Sequence, residues 1–354
     1  MVTKVFFGPP SSASRWAMAD IESAPDIEYC DFDEHSLSKL KRACLSQKIQ
    51  KRVPLRIKML LYKRVLKYKF FKLKRNSKIF FFCSDTHGMV ANGEQVFDFI
   101  KCLKAWFYNA KFIWHKYESV CDANRDQLNK RDMFDLFLTF NRIDAEKYNI
   151  EYAGGFCECG TIKPKELDEK YDLVYCGSGA SITRANYVMD IFKYLSDHDW
   201  KCIVYLPGMK DASKDYCEKL FGKIEVIEGS WGPRSGKVYY KNSVLYADYK
   251  CPYITNISLI HASKAVLEVI LPVGLASCTL RLAQEMGYHK KLITNSPTVT
   301  KEPFYNANNI LHFDKVEDID KSFLDTPFVP TGYDFTGVGF VNRLCKRLFP
   351  EEQV

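Results

Sequence analysis

Two segments of this chain pair small residues with cations at a point where a strand gives way to a helix. In one, an apolar run ends in Val273-Gly274-Leu275-Ala276-Ser277 and Cys278-Thr279-Leu280-Arg281 follows. Small residues such as Gly274 and Ser277 let a ligand come close to the backbone. A helix opening at Thr279 and Leu280 adds positive partial charge, Thr279 adds a hydroxyl, and Arg281 a guanidinium fork matched to phosphate. One turn later Gln284 or Glu285 is placed to accept hydrogen bonds from ribose hydroxyls. Asn295 then ends the strand Lys291–Thr294, at the carboxyl edge where α/β sheets bind ligands. In the other segment, Gly177-Ser178-Gly179-Ala180-Ser181-Ile182 follows a strand and precedes a helix, with Ile182 where a dinucleotide fingerprint has its third glycine. The small residues and the helix start at Ser181, Thr183 and Arg184 offer amide donors and a cation to a phosphate. A plain turn capped by Ser181 accounts for the same residues.

Other chemistries are pruned. The chain has no GxxxxGK[ST] phosphate loop and no G-x-S-x-G elbow. Its 13 cysteines are odd in number and scattered through apolar runs, as reduced core thiols are. The one close pair, Cys157-x-Cys159, has the wrong spacing for a zinc knuckle and no second pair, so no metal site is expected. With 25 Phe, 21 Tyr and 5 Trp to bury in 354 residues, the chain is a folded protein of two domains. No run of about 18 uncharged apolar residues exists, and Met1–Trp16 lacks the apolar core of a signal peptide. A soluble cytoplasmic protein is expected.

The net charge of +8 conceals a polarised chain. From His35 to Ser84 there are 16 Lys and Arg and no acidic residue, which leaves 35 basic against 43 acidic groups elsewhere. Within residues 48–75, Leu55, Met59, Tyr62, Leu66, Phe70 and Leu73 recur at helical spacing and form one apolar stripe, with Arg56, Lys63, Lys67 and Lys74 on another side. Three readings stand: a surface helix packed on its own domain, a peripheral contact with anionic lipid at about 1 kcal/mol per cation, or a nucleic-acid contact. Nucleic acid is the least favoured, because the rest of the chain is acidic and carries no recognised binding motif.

Short apolar runs alternate with longer helical patterns, the signature of βαβ units. Strands are expected at Lys4–Gly8, Ile27–Phe32, Lys78–Ser84, Lys111–His115, Phe134–Phe140 and Ile150–Tyr152, with a helix over Gly93–Tyr108. The polar stretch 161–170 reads as a linker between an N-terminal domain (1–160) and a C-terminal domain (171–335). The second series alternates strands at Asp172–Cys176, Cys202–Leu206, Ile224–Ile227, Ala265–Ile270, Lys291–Thr294 and Ile310–Phe313 with helices at 184–197, 213–221, 254–263 and 279–288. A last helix, 339–348, lies in the tail 336–354. The architecture expected is α/β: two tandem Rossmann-like domains facing across a cleft, with a C-terminal helix after the second.

The stretch from Leu267-Glu268 through Gly274, Thr279-Leu280-Arg281, Lys290-Lys291-Leu292-Ile293-Thr294-Asn295, Phe304-Tyr305 and Asn308-Asn309-Ile310 resembles the nucleotide-sugar-binding half of GT-B glycosyltransferases. It is most similar to a bacterial group that builds lipopolysaccharide and capsular polysaccharide. Phe134–Tyr152, with Asp144, Lys147 and Tyr148, and the run from Tyr171 to Arg184 extend the resemblance over residues 134–313. Where the family has Glu on the helix after Thr-Leu-Arg, this chain has Gln284 with Glu285 beside it, about 100° further round the helix.

The resemblance implies a glycosyltransferase that needs no metal or other cofactor. Its donor substrate would be a nucleoside diphosphate sugar bound at Gly177, Ser178, Ser181, Arg184, Gly274, Ser277, Thr279, Leu280, Arg281, Gln284, Glu285 and Asn295. Its acceptor would be a glycan, in particular a lipid-linked one, held by the N-terminal domain. Asp85 and His87, in the loop after the Lys78–Ser84 strand, are the candidates for a general base if the reaction inverts. The basic helix 48–75 would hold the protein at the inner face of the membrane. Two other readings remain: a degenerate GT-B-like binding or scaffold protein without turnover, and a nucleic-acid-binding protein acting through its basic patch.

Overall fold

A computed structural model of the chain describes residues 2–8, 19–31, 78–84, 93–116, 119–122, 125–157, 169–227, 234–249, 252–271 and 279–351. The basic stretch 48–75, linker residues 161–168, Asp85, His87, Gly274 and Ser277 lie outside the described residues. The chain divides into two compact units: unit 1 is Met1–Glu158 with Thr336–Val354, and unit 2 is Cys159–Phe335.

Unit 1 contains β1 (Thr3–Gly8), α1 (Ala19–Ser23), β2 (Ile27–Asp31), β3 (Ile79–Ser84), α2 (Gly93–Trp106), β4 (Ala110–Lys116), β5 (Leu136–Thr139), α3 (Arg142–Tyr148) and β6 (Glu151–Tyr152). Its strands form one parallel sheet in the order β2-β1-β3-β4-β5-β6. A parallel sheet is buried on both faces, which is why β3 reads Ile-Phe-Phe-Phe-Cys without polar alternation. Successive side chains point to opposite faces. Phe81 and Cys83 therefore join Phe112, Trp114 and the α2 residues Phe97, Ile100 and Leu103, whereas Phe80 and Phe82 join Ile113, Leu138 and Phe156 on the other side.

The second face is covered by the C-terminal helix, Gly337–Leu348. Its N-cap is Thr336, whose hydroxyl oxygen accepts the Gly339 amide at 2.9 Å. Its buried face, Phe340, Val341, Leu344 and Cys345, completes the Phe80–Phe82 core. Polar ties fix its register. Lys4 Nζ donates to Asn342 at 2.7 Å while pairing with Asp26 at 2.8 Å, and Asp20 accepts the Val338 amide at 3.0 Å. Just before the helix, Thr336 bridges in parallel to Cys157.

Unit 2 contains β7 (Tyr171–Cys176), α4 (Ile182–Asp197), β8 (Cys202–Leu206), α5 (Asp211–Phe221), β9 (Glu225–Val226), β10 (Gly236–Tyr240), β11 (Ser243–Ala247), α6 (Tyr253–His261), β12 (Ser263–Glu268), α7 (Leu280–Gly287), β13 (Lys291–Thr294) and β14 (Ile310–His312). The sheet runs β14-β13-β12-β7-β8-β11-β10-β9, parallel from β14 to β11, with β10 and β9 added antiparallel at one edge. The β10–β11 hairpin was not among the expected strands. It turns through Lys241-Asn242, with Lys241 at φ 52°, so the glycine that usually announces such a turn is missing.

From β7 the chain moves outward through β8 in one direction, and after β12 it moves outward through β13 and β14 in the other. The sheet of unit 2 thus reverses its winding between β7 and β12, and outside the carboxyl ends at such a reversal an open α/β sheet forms a crevice.

Candidate functional site

At this reversal, the segments after β7 and β12 exchange contacts. Arg184, in the first turn of α4, donates from Nη2 to the Leu271 carbonyl beyond β12 at 2.8 Å. Arg281, in the first turn of α7, reaches back and donates to the Cys176 carbonyl at the end of β7. Each strand's following helix therefore sends a guanidinium across to the other strand's end. Tyr175, near the end of β7, feels both: burial pushes its phenol up to about 12, against the pull of both arginines. Two cations now face one seam, and phosphate oxygens are the ligands that such paired forks fit.

The α7 start is anchored by a carboxyl that sequence reasoning did not place in the site. Glu268, the last residue of β12 and only 6% exposed, accepts hydrogen bonds from the Thr279 hydroxyl and, at 2.8 Å, from the Thr294 hydroxyl at the end of β13. Thr279 in turn caps α7 by accepting the Leu282 amide at 3.1 Å. Its hydroxyl hydrogen is spent on Glu268, so Thr279 serves the placement of the helix on which Arg281 sits. Burial raises the Glu268 carboxyl above its ordinary range, while the two threonines and Arg281 pull it back. The available signal was a lone charge in the apolar run Ala265–Ile270, since an acidic residue is almost never buried without a partner.

The remaining candidates are placed as follows. Ser181 caps α4 by accepting the Arg184 amide at 3.4 Å, and Ser178 accepts the Ala180 amide at 3.2 Å. The Gly177 and Gly179 amides are committed to the Tyr205 and Pro207 carbonyls. A Cβ at Gly179 would stand 2.6 Å from Met209 Cγ and 3.0 Å from the Leu206 carbonyl, and one at Gly177 would strike the Tyr175 ring. Close packing against the chain itself therefore accounts for both glycines. Asn295 clasps the backbone of Ile270, accepting its amide at 2.7 Å and donating to its carbonyl at 3.1 Å. Gln284, 2% exposed, donates to the Tyr253 hydroxyl of α6. Leu280 is the first residue of α7.

Glu285 is wholly buried, its Oε1 lying 3.5 Å from Arg281 Nη1, and among the described residues its Oε2 has no hydrogen-bond partner. Burial drives its carboxyl up to about 7, with Arg281 opposing and Glu268 reinforcing.

In unit 1 the strand order reverses between β1 and β3, and Asp85 and His87 follow β3 directly in sequence. Of the described polar groups near this edge, His115 at the end of β4 is fully buried; burial lowers its pKa to about 3, and it is hydrogen-bonded to the Gly154 carbonyl at 2.9 Å. It is held as a neutral ring within the core. Cys157 is likewise buried, and among the described residues no group of three or more His, Cys, Asp or Glu could hold a metal ion.

No protein-family model matches the chain, and none of the curated proteins matches its sequence. Solved structures do match in fold. A glycosyltransferase from Rickettsia africae is 9% identical over 99% of both chains, with a TM-score of 0.57. The N-terminal domain of Candida albicans trehalose-6-phosphate phosphatase is 11% identical over 99% of this chain and 98% of its own, with a TM-score of 0.54. A UDP-GlcNAc 2-epimerase from Neisseria meningitidis, bound to UDP-GlcNAc, is 10% identical over 99% of this chain and 100% of its own, with a TM-score of 0.52. At such identities the likeness is one of fold, and that fold is the GT-B kind with two Rossmann-like units that the resemblance implied.

Proposed function

We propose that the protein is a glycosyltransferase that moves a sugar from a nucleoside diphosphate sugar to a glycan acceptor, lipid-linked in the assembly of a surface polysaccharide. The observation that carries this reading is the reciprocal pair Arg184 and Arg281 at the β7–β12 reversal. As the bond from the sugar's anomeric carbon to the diphosphate oxygen breaks, negative charge grows on the leaving group. Two preorganised guanidiniums would stabilise that charge in place of a metal ion. If configuration inverts, the acceptor hydroxyl must lose its proton as it attacks, and Asp85 or His87 in unit 1 would accept it. Support comes from the fold shared with a glycosyltransferase and with an epimerase that holds a nucleotide sugar.

The test is thermal stability against UDP, GDP, CMP and TDP forms without metal. A ligand at about 100 times its Kd stabilises by about 2.7 kcal/mol. One base should raise Tm in wild type and leave Arg281→Ala unmoved. Turnover of the matching sugar nucleotide should release the nucleoside diphosphate, with EDTA making no difference. A second reading, a binding protein without turnover, is favoured by the burial of Gln284 and Glu285, which leaves neither side chain open to a ribose. It predicts the Tm shift without any release of diphosphate.

The same reading has the protein working in the cytoplasm at the inner face of the membrane, docked through residues 48–75. Among the described residues no helix is long and apolar enough to cross a membrane. Co-sedimentation with anionic but not neutral liposomes, weakened at least tenfold by replacing Lys63, Lys67 and Lys74 with Glu, is the expected result.

A further inference from the structure

We propose that Glu285 is a positioning residue for Arg281, and that an anion bound at the β7–β12 seam is taken up together with one proton on the Glu285 carboxyl. This deepens the reading above and rests on the seam being the diphosphate site.

Glu285 lies one helical turn beyond Arg281, the spacing at which side chains meet. The contact is loose: 3.5 Å from Arg281 Nη1 to Glu285 Oε1 exceeds a good charge-assisted hydrogen bond. The other oxygen is buried with no partner among the described residues. An ionised carboxylate with one oxygen unmet is expensive in such a place, whereas a carboxylic acid costs far less. The charged groups that face it are Arg281 on its own helix, Glu268 from β12 and Lys290 from the turn into β13. Lys290 is already engaged by Glu169 at 2.9 Å and by the His261 carbonyl at 3.0 Å. Among the described residues, Arg281 is the cation that touches Glu285, and Lys290 acts on it only from a distance.

A phosphate arriving at Arg281 competes with Glu285 for the guanidinium and brings negative charge towards the carboxyl. Both effects favour the protonated acid. The proton comes from solvent and no covalent bond changes. Linkage then requires anion affinity to fall as pH rises through the range where free Glu285 ionises, about pH 7. At acid pH Arg281 is released to the anion; at alkaline pH Glu285 holds it back.

Inorganic pyrophosphate is the probe, because it carries the diphosphate without committing to a base or a sugar. Calorimetric titration of the full chain at pH 6 and pH 8, in buffers of different ionisation enthalpy, gives both Kd and the protons exchanged. Between these pH values the wild-type Kd should rise about tenfold more than that of Glu285→Gln, which keeps shape but cannot ionise. At pH 8, where free Glu285 is ionised, wild type should also take up nearly one proton beyond the change that pyrophosphate's own titration supplies, and at pH 6 only about a tenth of one. Identical pH dependence in the two proteins, with binding abolished by Arg281→Ala, overturns the coupling and leaves the diphosphate site standing. No pyrophosphate binding by wild type at either pH overturns both. Should Glu285→Gln fail to fold, the wild-type proton count decides alone: uptake supports the coupling and its absence overturns it.

Discussion

A carboxyl buried at the end of a parallel strand is costly unless its oxygens are met. Glu268 meets both of its oxygens with threonine hydroxyls from two different elements. Glu285, 17 residues later in sequence, meets only one, and loosely. That contrast has a consequence for stability. The folded Glu285 holds its proton up to about pH 7, whereas in the unfolded chain it ionises at its ordinary value of 4.5. The folded state therefore binds the extra proton between these values, and stability falls as pH rises through that window. Glu285→Gln should match wild type near pH 4 and exceed it by up to about 3 kcal/mol at pH 8, as measured by urea denaturation at each pH. None of this was legible from residue types. Arg184 and Arg281 were visible as cations near helix starts, but the crossing of each to the other strand's end depends on β7 and β12 being neighbours. Gln284 and Glu285, expected to accept hydrogen bonds from a ribose, are both buried on α7, which residue types alone did not show.

Elements were legible where one kind of burial governs a whole run. The strands of both parallel sheets are buried on two sides and announce themselves as apolar runs of four to seven residues, as in β3 and β8. The hairpin β10–β11 sits towards an edge with tyrosines and lysines on its open face, and its turn lacks glycine, so neither signal was present. The C-terminal helix was legible as a helix from its apolar stripe, but its partner was not. Phe340 lies edge-on to Phe82 at 5.9 Å between ring centres and packs against Phe156 at 4.6 Å. Phe340→Ala should destabilise unit 1 by about 3–5 kcal/mol, read as a lower midpoint of the denaturation phase reported by unit 1. Nucleotide-induced stabilisation of unit 2 should survive in the same protein.

At the scale of the whole molecule, both units repeat one plan: a sheet with a parallel core whose winding reverses partway along the chain, between β1 and β3 in unit 1 and between β7 and β12 in unit 2. The polar stretch 161–170 marked one passage between units in the sequence. The return passage near Thr336 has no such marker, because Phe335 and Phe340 on either side of it are both core residues. Unit 2 is consequently an insertion within unit 1, with the two crossing strands of chain laid side by side where Cys157 bridges Thr336. This imposes an order on biosynthesis. When the last residue of unit 2 is joined to the growing chain, unit 1 still has one face of its sheet bare, with Phe80, Phe82, Ile113 and Leu138 waiting for a helix not yet translated. The half of the protein made first is thus the half completed last, and until then its open apolar face is the part of the nascent chain most in need of a chaperone.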